Sequence, residues 1–153
     1  MLSVMQILQV NLCRDKGASD LLEQAINERD IDIAVIAEPN VNYVKRRQWL
    51  VDDRTDVAIW LRSPRIRINS VSKGHGFVRI KVDDLQLYGC YFSPNRDMEE
   101  FDGFLNILRD ETRRYYGHKI VMMGDFNAKS PAWGSPRICL RVEIFCRNKS
   151  AGA

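Results

Sequence analysis

Two strand-length apolar runs, residues 4–10 and 31–37, flank an amphipathic stretch at 19–30. Strand, helix and strand in so short a span make a parallel βαβ unit, since a parallel return needs a crossover of about a dozen residues or more. Parallel strands are covered on both faces, so the chain needs layers on either side of its sheet. Ser19 or Asp20 can cap the helix, with Glu23 in its first turn. Leu21, Leu22, Ala25 and Ile26 then share one apolar face that ends near Asp30. The first run stops at Asn11 and the second at Glu38-Pro39-Asn40.

Residues 41–55 are polar and basic and read as a loop. Short β-prone runs follow at 57–61, 66–71, 77–82 and 85–91, with Asp83-Asp84 suiting a tight hairpin between the last two. Pro94 and Asn95 break the chain. A helix spans 97–116, with Phe101, Phe104, Leu105 and Leu108 at helical spacing, and a buried strand at 119–123 is halted by Gly124. The expected fold class is α/β: a mixed β-sheet flanked by helices, the N-terminal part of a four-layer αββα sandwich. From Arg137 the pattern loses any period, which divides the chain into a domain at 1–136 and a divergent tail at 137–153.

The chain has 153 residues, 45% hydrophobic and 28% charged, enough for a real core and unlike a disordered sequence. No apolar run approaches the roughly 18 residues of a membrane span. The N-terminus lacks a basic leader and a cleavage site, so the expected location is intracellular. Cys13, Cys90, Cys139 and Cys146 show no framework spacing and read as free thiols. Residues 1–136 balance at 19 basic and 19 acidic side chains, and the net +3 comes wholly from 137–153. Global charge therefore carries no argument for nucleic acid.

Placement of polar residues says more. In open α/β sheets, ligands bind beyond the carboxyl ends of the strands. Asn11, Glu38, Tyr91, Asp125 and Asn127 all leave apolar strands at that end, and should converge on one pocket. Taken singly each has a plainer reading: Gly124-Asp125-Phe126-Asn127 is also what an Asx turn looks like.

In this order the pieces resemble the endonuclease/exonuclease/phosphatase superfamily. Within it they are most similar to the apurinic-endonuclease-like N-terminal endonuclease of insect non-LTR retrotransposons. The matching residues are Leu8-Gln9-Val10-Asn11-Leu12, Ile36-Ala37-Glu38-Pro39, Tyr88-Gly89-Cys90-Tyr91-Phe92-Ser93-Pro94 and Met123-Gly124-Asp125-Phe126-Asn127-Ala128, with Ala132-Trp133-Gly134-Ser135 beyond. The resemblance implies a Mg²⁺ (or Mn²⁺) site at Glu38 with Asn11 beside it. It makes Tyr91 the contact to the attacked phosphate, and Asp125 the group that orients or deprotonates water. Asn127 would steady the phosphate and the aspartate. It implies DNA as substrate and a nuclear location for a working retroelement nuclease. Lys45, Arg46 and Arg47 become candidate phosphate contacts.

The resemblance also calls for a later aspartate and a closing Ser-Asp-His. No aspartate follows Asp125 and no histidine follows His118. His118 precedes the 119–123 strand, at the end away from Gly124, and His75 lies in a loop, so neither stands in. The expectation is an endonuclease domain that is truncated and impaired. Its sheet would lack a partner sheet, leaving an apolar face open to self-association. Two other readings use the same residues: a phosphoesterase for a small substrate, and a non-catalytic relic that binds nucleic acid.

Overall fold

The computed structural model describes residues 4–127. In chain order the elements are β1 (Ile7–Asn11), α1 (Lys16–Glu28), β2 (Ile33–Ala37), α2 (Val41–Arg46), β3 (Leu50–Val51), β4 (Val57–Leu61), β5 (Ile68–Gly74), β6 (Phe77–Val82), β7 (Leu85–Tyr91), α3 (Met98–Arg113) and β8 (Lys119–Asp125). They form two four-stranded sheets, ordered β1-β2-β4-β3 and β5-β6-β7-β8. The expected βαβ unit is present, with β1 parallel to β2 from Ile7 opposite Ile33 to Asn11 opposite Ala37. The second sheet holds another parallel pair, β7 with β8, bridged by α3.

The two sheets pack face to face. Ile33, Val35, Val57 and Ile59 of the first sheet share one core with Val78, Ile80, Val82, Leu87 and Met123 of the second. At Gly89 the approach is tight: an added Cβ would lie 3.0 Å from a Val35 methyl. Alternate residues serve the outer faces, because successive strand side chains point to opposite sides. Ala34 and Ile36 meet Leu22 and Ile26 of α1 and Tyr43 and Val44 of α2. Tyr88 and Cys90 meet Phe104 and Leu108 of α3. The layering is helix, sheet, sheet, helix.

This α/β layering agrees with the expected class, but it overturns the expectation of an uncovered sheet. The strands at 85–91 and 119–125 do not extend the β1–β2 sheet; with β5 and β6 they build the partner sheet that covers it. A run that is apolar on both faces shows that each face is covered, not which strands share a sheet. Self-association through that face therefore loses its basis.

Smaller corrections follow the same physics. Asp15, not Ser19 or Asp20, caps α1, its carboxylate accepting from Ala18 N, while Ser19 is buried. The stretch read as a loop at 41–55 contains α2 and β3. Asn40 accepts from Asn42 N and Tyr43 N, and the buried Tyr43, Val44 and Trp49 anchor a segment whose surface is polar. Gly124 does not halt β8, which runs on to Asp125 opposite Tyr91. Glycine is needed there because a Cβ would lie 1.8 Å from Cys90 O. The Asp83-Asp84 hairpin forms, with Asp83 at φ +53°. Asp97 caps α3 in a reciprocal capping box with Glu100. Ala128, Ala132-Trp133-Gly134-Ser135, Cys139, Cys146 and the boundary at 136 lie outside the described residues. No described helix is long and apolar enough to cross a membrane.

Candidate functional site

β1, β2, β7 and β8 all run the same way within their parallel pairs, and their carboxyl ends meet where the sheets come together. Two hydrogen bonds join the sheets there. Asn11 Nδ2 donates to Asp125 Oδ2 at 2.9 Å, and Tyr91 OH donates to Glu38 Oε1 at 2.8 Å. Asn127 is tied in through its backbone N to Asp125 Oδ1 at 3.1 Å and through its side-chain amide to Phe92 O at 2.9 Å. All five sequence-predicted polar residues are thus in one connected cluster. The Asx-type bond at Asp125 is real, yet the other carboxylate oxygen reaches Asn11, 114 residues away. This turn therefore bonds both locally and across the sheets.

The backbone around the cluster is strained. Cys13, Arg14, Glu38, Thr55 and Asn127 all have φ between +44° and +60°. Non-glycine residues in this region cost free energy and concentrate at functional sites, where surrounding contacts hold them. Arg14 supplies many of those contacts. Its guanidinium donates to Pro39 O, Thr55 O and Asp56 Oδ1, and its backbone N donates to Glu38 O. The turn that follows the Glu38 side chain is therefore clamped to two neighbouring loops.

Arg14, Asp52 and Asp56 are site residues that sequence reasoning missed. Buried Asp52 accepts from the backbone N–H groups of Asp56, Val57 and Gly76, holding the β3–β4 turn against the β5–β6 turn. Asp52-Asp53-Arg54-Thr55-Asp56 before an apolar strand is a turn signal that could have pointed to it. For Arg14 there was no local signal, since its partners lie 25 to 42 residues away.

Burial, the hydrogen bond to Glu38 and the charges of Glu38, Asp56 and Asp125 push the Tyr91 hydroxyl well above its ordinary pKa. Tyr91 is therefore an O–H donor at neutral pH. Burial, and after it the Asp52 charge, raise the Asp56 carboxyl against the opposing pull of Arg14.

Among the described residues no group of three or more Asp, Glu, His or Cys converges, so a closed protein cage for a metal is absent from them. Glu38 offers one carboxylate oxygen beyond the one that accepts from Tyr91, and the Asn11 amide oxygen accepts a single bond, from Cys13 N. That sparse oxygen set fits Mg²⁺, which takes one or two carboxylates, waters and substrate phosphate oxygens, better than Ca²⁺ or Zn²⁺.

The basic candidates divide. Lys45 and Arg46 are exposed at the end of α2. Arg47 is engaged elsewhere, paired with Glu23 of α1 and stacked over Trp60 at 5.3 Å. His118 sits at the far end of β8 with Nδ1 3.2 Å from Gln86 Nε2, apart from the cluster as expected.

A family described as endonuclease-reverse transcriptase matches residues 85–148. No curated protein matches the sequence. Among solved structures, the endonuclease domain of TRAS1, a telomere-specific non-LTR retrotransposon, has a TM-score of 0.68 at 24% identity, covering 90% of this chain and 66% of that one. An AP endonuclease from Archaeoglobus fulgidus has a TM-score of 0.61 at 16% identity, covering 89% and 65%. A mannosyl-6-phosphatase from Bacteroides thetaiotaomicron has a TM-score of 0.63 at 12% identity, covering 84% and 67%. The chain spans about two thirds of the length of each. The fold is the one these endonuclease and phosphatase structures share, and residues 85–148 are similar to the endonuclease-reverse transcriptase family.

Proposed function

We propose that the chain is the metal-dependent phosphodiesterase part of a retrotransposon-type DNA endonuclease. The observation that carries this is the pair of cross-sheet hydrogen bonds, Asn11 to Asp125 and Tyr91 to Glu38. They set a proton acceptor, a neutral phenolic donor and a carboxylate metal ligand side by side at one sheet end. The endonuclease neighbours support DNA as substrate, which for a working nuclease of this type means action in the nucleus.

Asp125, aligned by Asn11 Nδ2 and Asn127 N, is the group that takes a proton from water. Tyr91, kept protonated, donates to a phosphate oxygen, and Asn11 and Asn127 provide neutral amide donors for the charge that develops on it. Glu38 with Asn11 would hold Mg²⁺ (or Mn²⁺), which when bound supplies positive charge to the phosphate. Exposed Lys45 and Arg46 serve as backbone phosphate contacts. No aspartate follows Asp125 and no histidine follows His118 among these 153 residues, so the later acid–base partners that the resemblance implies have to come from outside them.

The test is nicking of supercoiled plasmid with Mg²⁺, by the chain alone and fused to the C-terminal half of a retrotransposon endonuclease. The expected result is trace nicking alone and robust nicking in the fusion. In the fusion Asp125→Asn loses on the order of 10³ in rate and Asn127→Ala on the order of 10²–10³. Equal nicking by Asp125→Asn and the unaltered fusion overturns the assignment. The phosphatase neighbour motivates a second reading, a small phosphoester substrate. Hydrolysis of a sugar phosphate at a rate indifferent to salt, without nicking, would establish it.

A further inference from the structure

Beside Tyr91 lies a cleft of about 290 Å³ that the cluster does not use. Its rim is built at the same sheet end by three separate turns. Arg54 comes from the turn between β3 and β4, His75 from the turn between β5 and β6, and Arg96 from the loop before α3. Its floor is apolar: the Phe104 ring and the exposed Ile107 side chain, with Gly103 between them leaving open space where a Cβ would stand. The wall is rigid. Gly76 at φ +83° has no room for a Cβ, which would lie 2.6 Å from Tyr91 O and 3.1 Å from the Phe104 ring.

The charged side chains at this rim are unequally engaged. The two acidic lining residues are already engaged, Asp56 by Arg14 and Glu100 by the backbone N of Asp97. His75 lies 3.8 Å from Asp53. Arg54 and Arg96 have no ion-pair partner among the described residues, and Arg96 is steadied only over the Phe92 ring at 5.9 Å. Two guanidinium groups without a direct ion pair, above an apolar floor, suit a ligand that combines phosphate with a flat ring.

We propose that this cleft seats the nucleotide next to the attacked phosphate, its base on the Phe104–Ile107 floor and its flanking phosphate between Arg54 and Arg96. The inference rests on the phosphodiesterase reading, because it takes Tyr91 as the boundary between the two subsites. It concerns binding alone, so its failure can be told from failure of the chemistry.

The experiment is fluorescence anisotropy of a labelled single-stranded DNA 12-mer with the full chain in EDTA, across a salt series. The Arg54→Ala/Arg96→Ala double variant should bind at least tenfold more weakly, with the log–log salt slope reduced by about two. Ile107→Ser, on an exposed helix position and without change of charge, should weaken binding of the 12-mer but not of an abasic 12-mer of equal charge. Melting temperatures within a few degrees of the parent certify the fold of each variant. Unchanged affinity and slope in the double variant overturn the proposal. So does an equal loss of both oligonucleotides in Ile107→Ser, which would show that the apolar floor does not read the base. Absence of nicking by the fusion, with a chain that passes these tests, removes the catalytic reading and leaves the cleft as a binding site for a nucleotide.

Discussion

The second sheet carries two polar clusters that differ in almost every respect. At its carboxyl end, Tyr91 and Asp125 close β7 and β8 and reach across to Glu38 and Asn11 of the first sheet, beside Glu38 and Asn127 at positive φ. On its outer face, Arg79 is 3% exposed and sits without a carboxylate in contact. Its guanidinium donates to Ser72, Ser70 and Gln86 at 2.8, 3.1 and 2.7 Å and lies over the Tyr115 ring at 4.5 Å. Gln86 passes the chain on to His118. The outer cluster satisfies itself and excludes a ligand. The end cluster leaves a carboxylate oxygen and two arginines over, and stores backbone strain besides. Unspent bonding capacity, more than polarity, separates a site from a structural network.

The sharpest way to break this contrast is to remove Arg79. Arg79→Ala strands the Gln86 carbonyl and opens a cavity, so stability should fall by about 3 kcal/mol, some ten degrees in Tm for a chain of this size. Arg79→Met with Gln86→Leu should recover most of the loss, since both partners leave together and exposed His118 can turn to water. A loss under about 1 kcal/mol in Arg79→Ala, measured by urea unfolding, would show that the network is ornamental.

At the end cluster the same kind of change should act on ligand and not on fold. Glu38→Gln should alter stability by less than about 1 kcal/mol, in either direction, because sites of this kind trade stability for function. The parent should gain Tm in Mg²⁺ and the variant should not. Equal Mg²⁺ shifts in both proteins would remove Glu38 from the metal site. Smallest is the strain itself. Thr55 is β-branched at φ +60°, so Thr55→Gly should raise stability by about 0.5 kcal/mol, the relief of the left-handed conformation less the added chain entropy. A fall in Tm would mean that the Thr55 side chain contributes more than its conformation costs.

How much of this was legible in advance depended on the range of each interaction. The short apolar runs gave β4 and β7 to the residue and β2 within two, and the break at Pro94 and Asn95 set the start of α3 within a residue. The polar residues after strands identified Asn11, Glu38, Tyr91, Asp125 and Asn127, because a buried strand that ends on a hydrogen-bonding side chain marks where the sheet meets solvent. Legibility failed where a local pattern had two outcomes. Asp15 is as good a capping residue type as Ser19 or Asp20, and the fold decides for it, because α1 starts at Lys16 and takes both of the others into its first turns. The basic surface of residues 41–47 hid a helix held by Tyr43 and Val44.

What the sequence determined by itself is the set of elements and the chemistry at their ends, since propensity, capping and two-residue periodicity act over a few neighbours. Which strands share a sheet, and so whether the apolar faces are covered, was decided by tertiary pairing. Strands covered on both faces look alike whichever sheet they join. The same holds for Arg14, which acquires its function from carbonyls and a carboxylate 25 to 42 residues distant. Contacts of that separation leave no local trace in the chain, because what selects them is the packing of the two sheets, close enough at Gly89 that an added Cβ would lie 3.0 Å from a Val35 methyl.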